Sequence, residues 1–291
     1  MTAFRPFTAP PRPFRIGLKP VDPADFLFVD GERARYLAEK RALYAACCDA
    51  VVMAETETAA AQQEAADLLL AAAVRHPEHP VAVDGSRVVI PGAGAVDLAD
   101  WRQAPLAGAA LFLQDDLVLM RRDAAGWRLV AASVCFPSSW RLGEKFGRPL
   151  EAIHAPVPGM DGPMGARIAR IFDSLQPAIP VWRENFSFEA DGRLRYDRSK
   201  AVFAEAAERK RLDRAVTIRA EYQTLHRLPV SGDILFTIRI LTRDVAELRR
   251  TPAGRAALAA IAGHVASLEA AERAYKGIDG DGTRLIAMLA A

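Results

Sequence analysis

Short strand-like segments collect into two groups joined by tight turns, and long alanine-rich stretches lie before and after those groups rather than between successive strands. The first group spans residues 86–91, 110–114, 117–121 and 127–136, with Gln114-Asp-Asp and Asp123-Ala-Ala-Gly as turns. The second spans 181–188, 215–226 and 233–241, its last two members linked by Arg227-Leu-Pro-Val-Ser-Gly. A parallel pair needs a crossover of a dozen or more residues, so links this short dictate antiparallel meanders. Residues 32–74 are rich in alanine, leucine, glutamate and glutamine and read as two helices, closed by His76-Pro77-Glu78-His79-Pro80. Short helices fit 143–147 and 162–175, and helices recur over 245–275 and 282–291 with breaks at Thr251-Pro252 and around Gly277. Segregated strands and helices of this kind specify an α+β fold built on an antiparallel sheet with flanking N-terminal and C-terminal helices.

Composition removes several classes. Lys plus Arg exceeds Asp plus Glu by 38 − 36 = 2 and no basic run is interleaved with aromatics, so nucleic acid is not an expected partner. No apolar run reaches the ~18 residues of a helical membrane span, so no membrane partner is expected. Three cysteines, two of them adjacent at Cys47 and Cys48, offer neither a disulfide framework nor a zinc pattern, and the expectation is a cytoplasmic chain with Cys135 as a small buried residue. The glycine-rich stretches Pro91-Gly-Ala-Gly-Ala and Asp279-Gly-Asp-Gly lack the strand–glycine–helix setting of dinucleotide binding. Residues 1–13, with Pro6, Pro10, Pro11 and Pro13, read as an extended arm.

One histidine stands in an unusual setting. His154 follows Ile153 and precedes Ala155-Pro156-Val157-Pro158, in the connection between the two short helices. The prolines fix their own φ and bias the residues before them toward extended backbone, so the imidazole is expected to be held in place. A held imidazole can ligate iron through one nitrogen, or it can merely hydrogen-bond a loop; the local sequence leaves both open. His76 and His79 sit in a helix terminator away from any cysteine, and His226 and His264 read as exposed polar residues. Ser138 and Ser139 lie outside any nucleophile-elbow pattern.

Alternation in the second group puts Thr217, Arg219, Glu221, Gln223 and Leu225 on one face of a strand. Its partner strand carries Arg239 among Leu235, Thr237 and Leu241. Arg219, Glu221 and Gln223 fit a solvated outer face; the other reading is an ion pair bordering a pocket, Glu221 with Arg239 or with Arg219. Arg183 and Asn185 repeat the alternation of polar with aromatic positions.

Taken together, Phe136-Pro-Ser-Ser-Trp140, Glu144-Lys145, Ile153-His-Ala-Pro-Val-Pro158, Arg183-Glu-Asn-Phe186, Glu221-Tyr-Gln-Thr-Leu225, Arg227-Leu-Pro229 and Phe236-Thr-Ile-Arg239 resemble the haem-dependent oxidative N-demethylase alpha-subunit-like family. The likeness runs from about Phe14 past Arg239. It implies a single haem-binding PAS-like domain over 14–291 with helical extensions. It also implies haem b and oxidation of a small dimethylamine-like secondary amine by dioxygen, with formaldehyde released. Electrons would come from a separate NADPH-dependent reductase. Carried onto this chain, the likeness makes His154 the axial ligand of the haem iron. Phe136, Pro137, Trp140, Pro156, Val157 and Arg183 would contact the cofactor, and Glu221, Arg239 and Tyr222 would serve the distal chemistry. Tyr222 stands where the family usually has Arg, Phe186 where Trp is typical, and Val230-Ser231 where a basic residue is common. A haem sensor without turnover and a haem-free scaffold subunit are the competing readings, and homo-oligomerisation through the helical tail stays open.

Overall fold

The computed structural model describes residues 16–124, 126–159, 163–197, 216–278 and 282–291. The arm expected over residues 1–13 lies outside them. Ten strands are described: β1 Lys19–Pro20, β2 Val52–Ala54, β3 Ala82–Asp84, β4 Arg87–Ile90, β5 Gly94–Asp97, β6 Asp116–Asp123, β7 Gly126–Ser133, β8 Val181–Glu189, β9 Thr217–Arg227 and β10 Ile234–Asp244. Seven of them form one sheet in the order β1-β8-β9-β10-β6-β7-β2, and β3, β4 and β5 form a second, smaller one. Every pairing between these strands is antiparallel, so the described fold is α+β with the expected antiparallel sheet.

The helical zone at residues 32–74 resolves into α1 Arg33–Val51 and α2 Ala59–Arg75, separated by β2. In α1 the buried positions Tyr36, Leu37, Lys40 and Tyr44 make one stripe at helical spacing, ahead of a kink at Cys47. In α2 the stripe is mostly alanine, with Leu69 at its middle, so the helix can approach its neighbours closely. Two expectations fail. Residues 110–114 are not a strand: α3 Pro105–Ala110 ends there and a turn follows. The run is apolar because it is wholly buried, and a short buried helix has the same composition as a buried strand. Pro105 at the first helical turn was the available signal. The link around His154 is also not an extended loop, since α4 Leu142–Lys145 and α5 Leu150–His154 precede α6 Pro163–Ser174.

The large sheet has different cover on its two faces. The main core packs α1, α2, α3 and the C-terminal helices Pro252–Ala266 and Thr283–Ala290 against the side bearing Ala220, Tyr222 and Leu235. A smaller cluster, including Val118, Leu129, Trp127, Phe172, Leu225 and Ile234, lies where α4, α5 and α6 cover the other side. Among the described residues, no helix is long and apolar enough to cross a membrane. All three cysteines are free, and burial pushes the Cys135 thiol up to about 12, as expected of a small core residue.

Candidate functional site

Register fixes which side chains share a face. In β9 and β10, Tyr222 is paired with Arg239 and Glu221 with Ile240. In β8 and β9, Asn185 is paired with Glu221 and Arg183 with Gln223. Directly opposed residues point the same way and successive residues point oppositely. Arg183, Asn185, Arg219, Glu221 and Gln223 therefore line the face under α4–α6, whereas Tyr222 and Arg239 line the face under α1. The proposed Glu221–Arg239 pair does not exist: a sheet separates the two. Arg239, fully buried, instead donates to Asp30 Oδ1 at 2.9 Å, lies 4.2 Å from the Tyr36 ring centroid, and donates to the Ile240 carbonyl. The alternative pair is present, with Arg219 Nε 3.6 Å from Glu221 Oε1.

The polar row on β9 is not a solvated face. Arg219 is fully buried, and it donates to the Leu194 carbonyl at 2.7 Å and to the Phe136 carbonyl. The Glu221 side chain is 14% exposed. Gln223 Nε2 donates to Glu221 Oε2 at 2.9 Å and Asn185 Nδ2 reaches the same oxygen at 3.4 Å. Glu221 thus sits in a ring of donors in which Arg219 is the fixed cation.

Three segments crossing this face bring further groups to it. The loop before α4 turns through Ser139, whose φ of 62° is left-handed, and it is clamped by Ser139 N to Tyr196 O at 2.7 Å and Tyr196 N to Pro137 O at 3.0 Å. It delivers Trp140, and Lys145 Nζ lies 4.1 Å above that ring. Burial lowers the Lys145 ammonium to about 8, against the opposing pull of Glu221 and Glu144. Burial likewise lowers Arg183, again against Glu221. Tyr275, in the C-terminal helix Ala270–Tyr275, is raised to about 12 by burial and by Glu221. The Glu221 charge thus acts on Lys145, Arg183 and Tyr275, and register puts Arg183 one diagonal step from Glu221.

His154 joins them from α5. The helix is laid along β7 by Leu129 N to Arg148 O at 3.3 Å and Gly147 N to Leu129 O at 2.9 Å, and Leu150 anchors it in the smaller core. Nδ1 of His154 is 2.9 Å from the Leu150 carbonyl one turn back. Burial lowers the imidazole pKa, Lys145 and Arg183 lower it further, and the Leu150 carbonyl and Glu151 resist. The ring is therefore held by its own helix and favours the neutral form, with Nε2 as the remaining donor atom.

The other sequence-derived candidates divide. Trp140 and Val157 are half-buried on the same side as His154, and Pro156 is exposed beyond it. Pro137 is buried in the clamped loop. Phe136 is not beside His154: its ring packs edge-on against Tyr36 at 5.6 Å within the main core. Tyr222 is 5.5 Å from Trp182 in that core, so its departure from the family residue does not alter the face bearing Glu221. His226 is not exposed; it is 4% accessible, 4.1 Å from the Phe26 ring, and held near 3 by burial. His264 is half-buried and stacks on Phe186. Lys145, Asn185, Gln223 and Tyr275 were not chosen as site residues from sequence. The alternation pattern contained Asn185 and Gln223, and the Glu144-Lys145 motif contained Lys145; nothing local marked Tyr275.

The haem implied by the sequence can be tested against this donor set. Among the described residues no group of three or more His, Cys, Asp or Glu could hold a bare metal ion. A porphyrin supplies four nitrogens of its own, so its iron needs only an axial side chain from the protein. His154 has the required form: a neutral imidazole with one nitrogen oriented by a backbone carbonyl. Cationic Arg183 and Lys145 close to it suit an acidic cofactor. The residues fit the group. A model of the family described as haem-dependent oxidative N-demethylase, alpha subunit-like, matches residues 17–286, and the chain belongs to that family.

Proposed function

We propose that this protein demethylates a small secondary amine oxidatively, at a haem held on the face of the sheet beneath α4–α6. The observation that carries the reading is a buried His154 whose Nδ1 is held by the Leu150 carbonyl, leaving Nε2 available, within a chain that belongs to a haem-dependent N-demethylase family. An antiparallel sheet with short helices over one face also supports a PAS-like arrangement of the pocket. His154 would hold the iron of haem b, with Trp140, Val157 and Pro137 toward the ring edge and Arg183 toward a propionate. Bound haem supplies dioxygen activation and one-electron chemistry.

The chain's own groups do the rest. The Leu150 carbonyl fixes the His154 tautomer, so Nε2 is presented unprotonated. Glu221 accepts N–H bonds from the amine, and Gln223 and Asn185 hold the carboxylate in one orientation while it does so. Insertion of one oxygen atom of dioxygen into a C–H bond of the N-methyl group gives an unstable aminomethanol, which collapses to formaldehyde and the smaller amine. The second oxygen atom leaves as water, which requires two electrons and two protons. A separate reductase in the cytoplasm would supply those electrons.

The test is spectroscopic and then chemical. Chain reconstituted with haemin is expected to bind about one haem, with a Soret band that shifts on reduction. With a reductant and dimethylamine it should release formaldehyde in step with oxygen consumed. A loaded chain that never releases formaldehyde from any secondary amine would support the sensor reading instead, and a chain that refuses haemin would support the scaffold reading.

A further inference from the structure

Arg219 and Glu221 are next-but-one neighbours on one face of β9, where a guanidinium and a carboxylate left free pair directly at about 2.7–2.9 Å. They do not close on each other. Arg219 Nε stays 3.6 Å from Glu221 Oε1 and is buried without a hydrogen-bond partner. Both terminal nitrogens are turned to main chain: Nη1 donates to the Leu194 carbonyl at 2.7 Å and Nη2 to the Phe136 carbonyl. Glu221 Oε2 meanwhile accepts from the side-chain amides of Gln223 and Asn185. Neutral donors of this kind orient a carboxylate without cancelling its charge.

The Phe136 carbonyl is itself held. Asp116 opens β6 and pairs with Ile238, which pairs in turn with Gln223, so its side chain lies on the Glu221 side of the sheet. It is 1% exposed, and its two oxygens accept from the Cys135 amide at 2.9 Å and the Phe136 amide at 2.8 Å. Both oxygens thus act as acceptors, as those of an ionised carboxylate do, with Lys40 and Arg219 favouring the charged form against burial. Phe136 is gripped at both ends of its backbone: Asp116 takes its N–H, and Arg219 gives to its C=O.

We propose that Asp116 is a positioning residue which, through the Phe136 backbone, holds Arg219 back from Glu221 and so leaves the Glu221 carboxylate open to a cationic amine. This rests on the demethylase reading and adds the device that keeps its amine site from closing on itself. Without the clamp, Arg219 would swing its terminal nitrogens onto the carboxylate next to it, and an arriving ammonium would have to displace a built-in cation.

The test takes Asp116→Asn, Arg219→Met and the double variant, each loaded with haemin, through calorimetry and turnover with dimethylamine, together with a crystal structure of Asp116→Asn. Asparagine keeps the shape but turns an NH₂ group toward one of the two amides, so one of the bonds is lost. In Asp116→Asn, Arg219 is expected within about 3 Å of Glu221, and dimethylamine should bind roughly tenfold or more weakly with haem per chain unchanged. KM should rise by the same factor while kcat holds. Arg219→Met should bind the amine more tightly than the parent, and adding Asp116→Asn to it should change nothing further, because no cation is left to hold back. An Asp116→Asn loss of equal size in both backgrounds would make Asp116 merely structural and overturn the proposal, as would an Arg219 still on its two carbonyls in that variant. Should Asp116→Asn fail to fold, Arg219→Met decides alone: weaker amine binding overturns the proposal and tighter binding upholds it. A parent chain that binds no dimethylamine sinks the demethylase reading, whereas the position of Arg219 in Asp116→Asn still decides the clamp.

Discussion

Replacing Asp30 by alanine isolates what a single buried cation requires. Arg239 has no exposed surface, and Asp30 is the carboxylate it reaches, at 2.9 Å. The same Oδ1 accepts from Gln114 Nε2 at 2.9 Å and from the Glu32 amide at 3.0 Å, so the change also removes a bond at the start of α1. Stranding a buried ion typically costs about 3–5 kcal/mol. Asp30 is itself 20% exposed, which lets water replace part of what is lost and favours the low end, about 3 kcal/mol. For a protein of this size that corresponds to a fall in Tm of roughly 6–12 °C, measurable by circular dichroism. The pH dependence gives a second check. Burial raises the Asp30 carboxyl, but Arg239, Gln114, the Glu32 amide and Arg243 outweigh it and hold the group below its usual value. A depressed carboxyl stabilises the fold above its unfolded value near ~3.9 and loses that contribution as pH falls through the folded one, so the gap between parent and variant should close in acid. Changing both partners, Asp30→Leu with Arg239→Met, removes the stranded charge and is expected to cost much less than Asp30→Ala. A loss below about 1 kcal/mol for Asp30→Ala at neutral pH, or a gap that persists in acid, would refute the reasoning.

Two further outcomes are expected. His154→Ala should abolish the native haem spectrum while the far-ultraviolet circular dichroism is kept, since α5 is anchored by Leu150; an unchanged spectrum would remove His154 as ligand. Glu221→Gln should weaken amine binding at least tenfold with haem content intact, and unaltered affinity in calorimetry would take Glu221 out of the substrate site.

The strand groups and their turns determined the sheet, because link length alone forbids a parallel crossover and period 2 is visible in Thr217–Leu225 without any tertiary contact. Helix zones 32–74 and 245–275 were equally legible from composition and proline breaks. The family motifs brought out His154 and Glu221, and the pairing of Glu221 with Arg219 was one of two options that the strand offered. Residues 110–114 were misread because complete burial erases the polar half of any period.

Which face met which partner belonged to the tertiary structure. Alternation sorts side chains into two sets within a strand but says nothing of which set a distant helix will cover. Register put Arg239 opposite Tyr222, and packing of α1 then supplied Asp30 from 209 residues away in sequence. The same packing sent Phe136 and His226 into the core and brought Lys145 and Tyr275 within the field of the Glu221 charge. These are contacts between groups far apart along the chain, set by the total burial of all the elements together. A sequence motif records the residues that meet at such a site, but only the closed fold decides their sides, partners and charge.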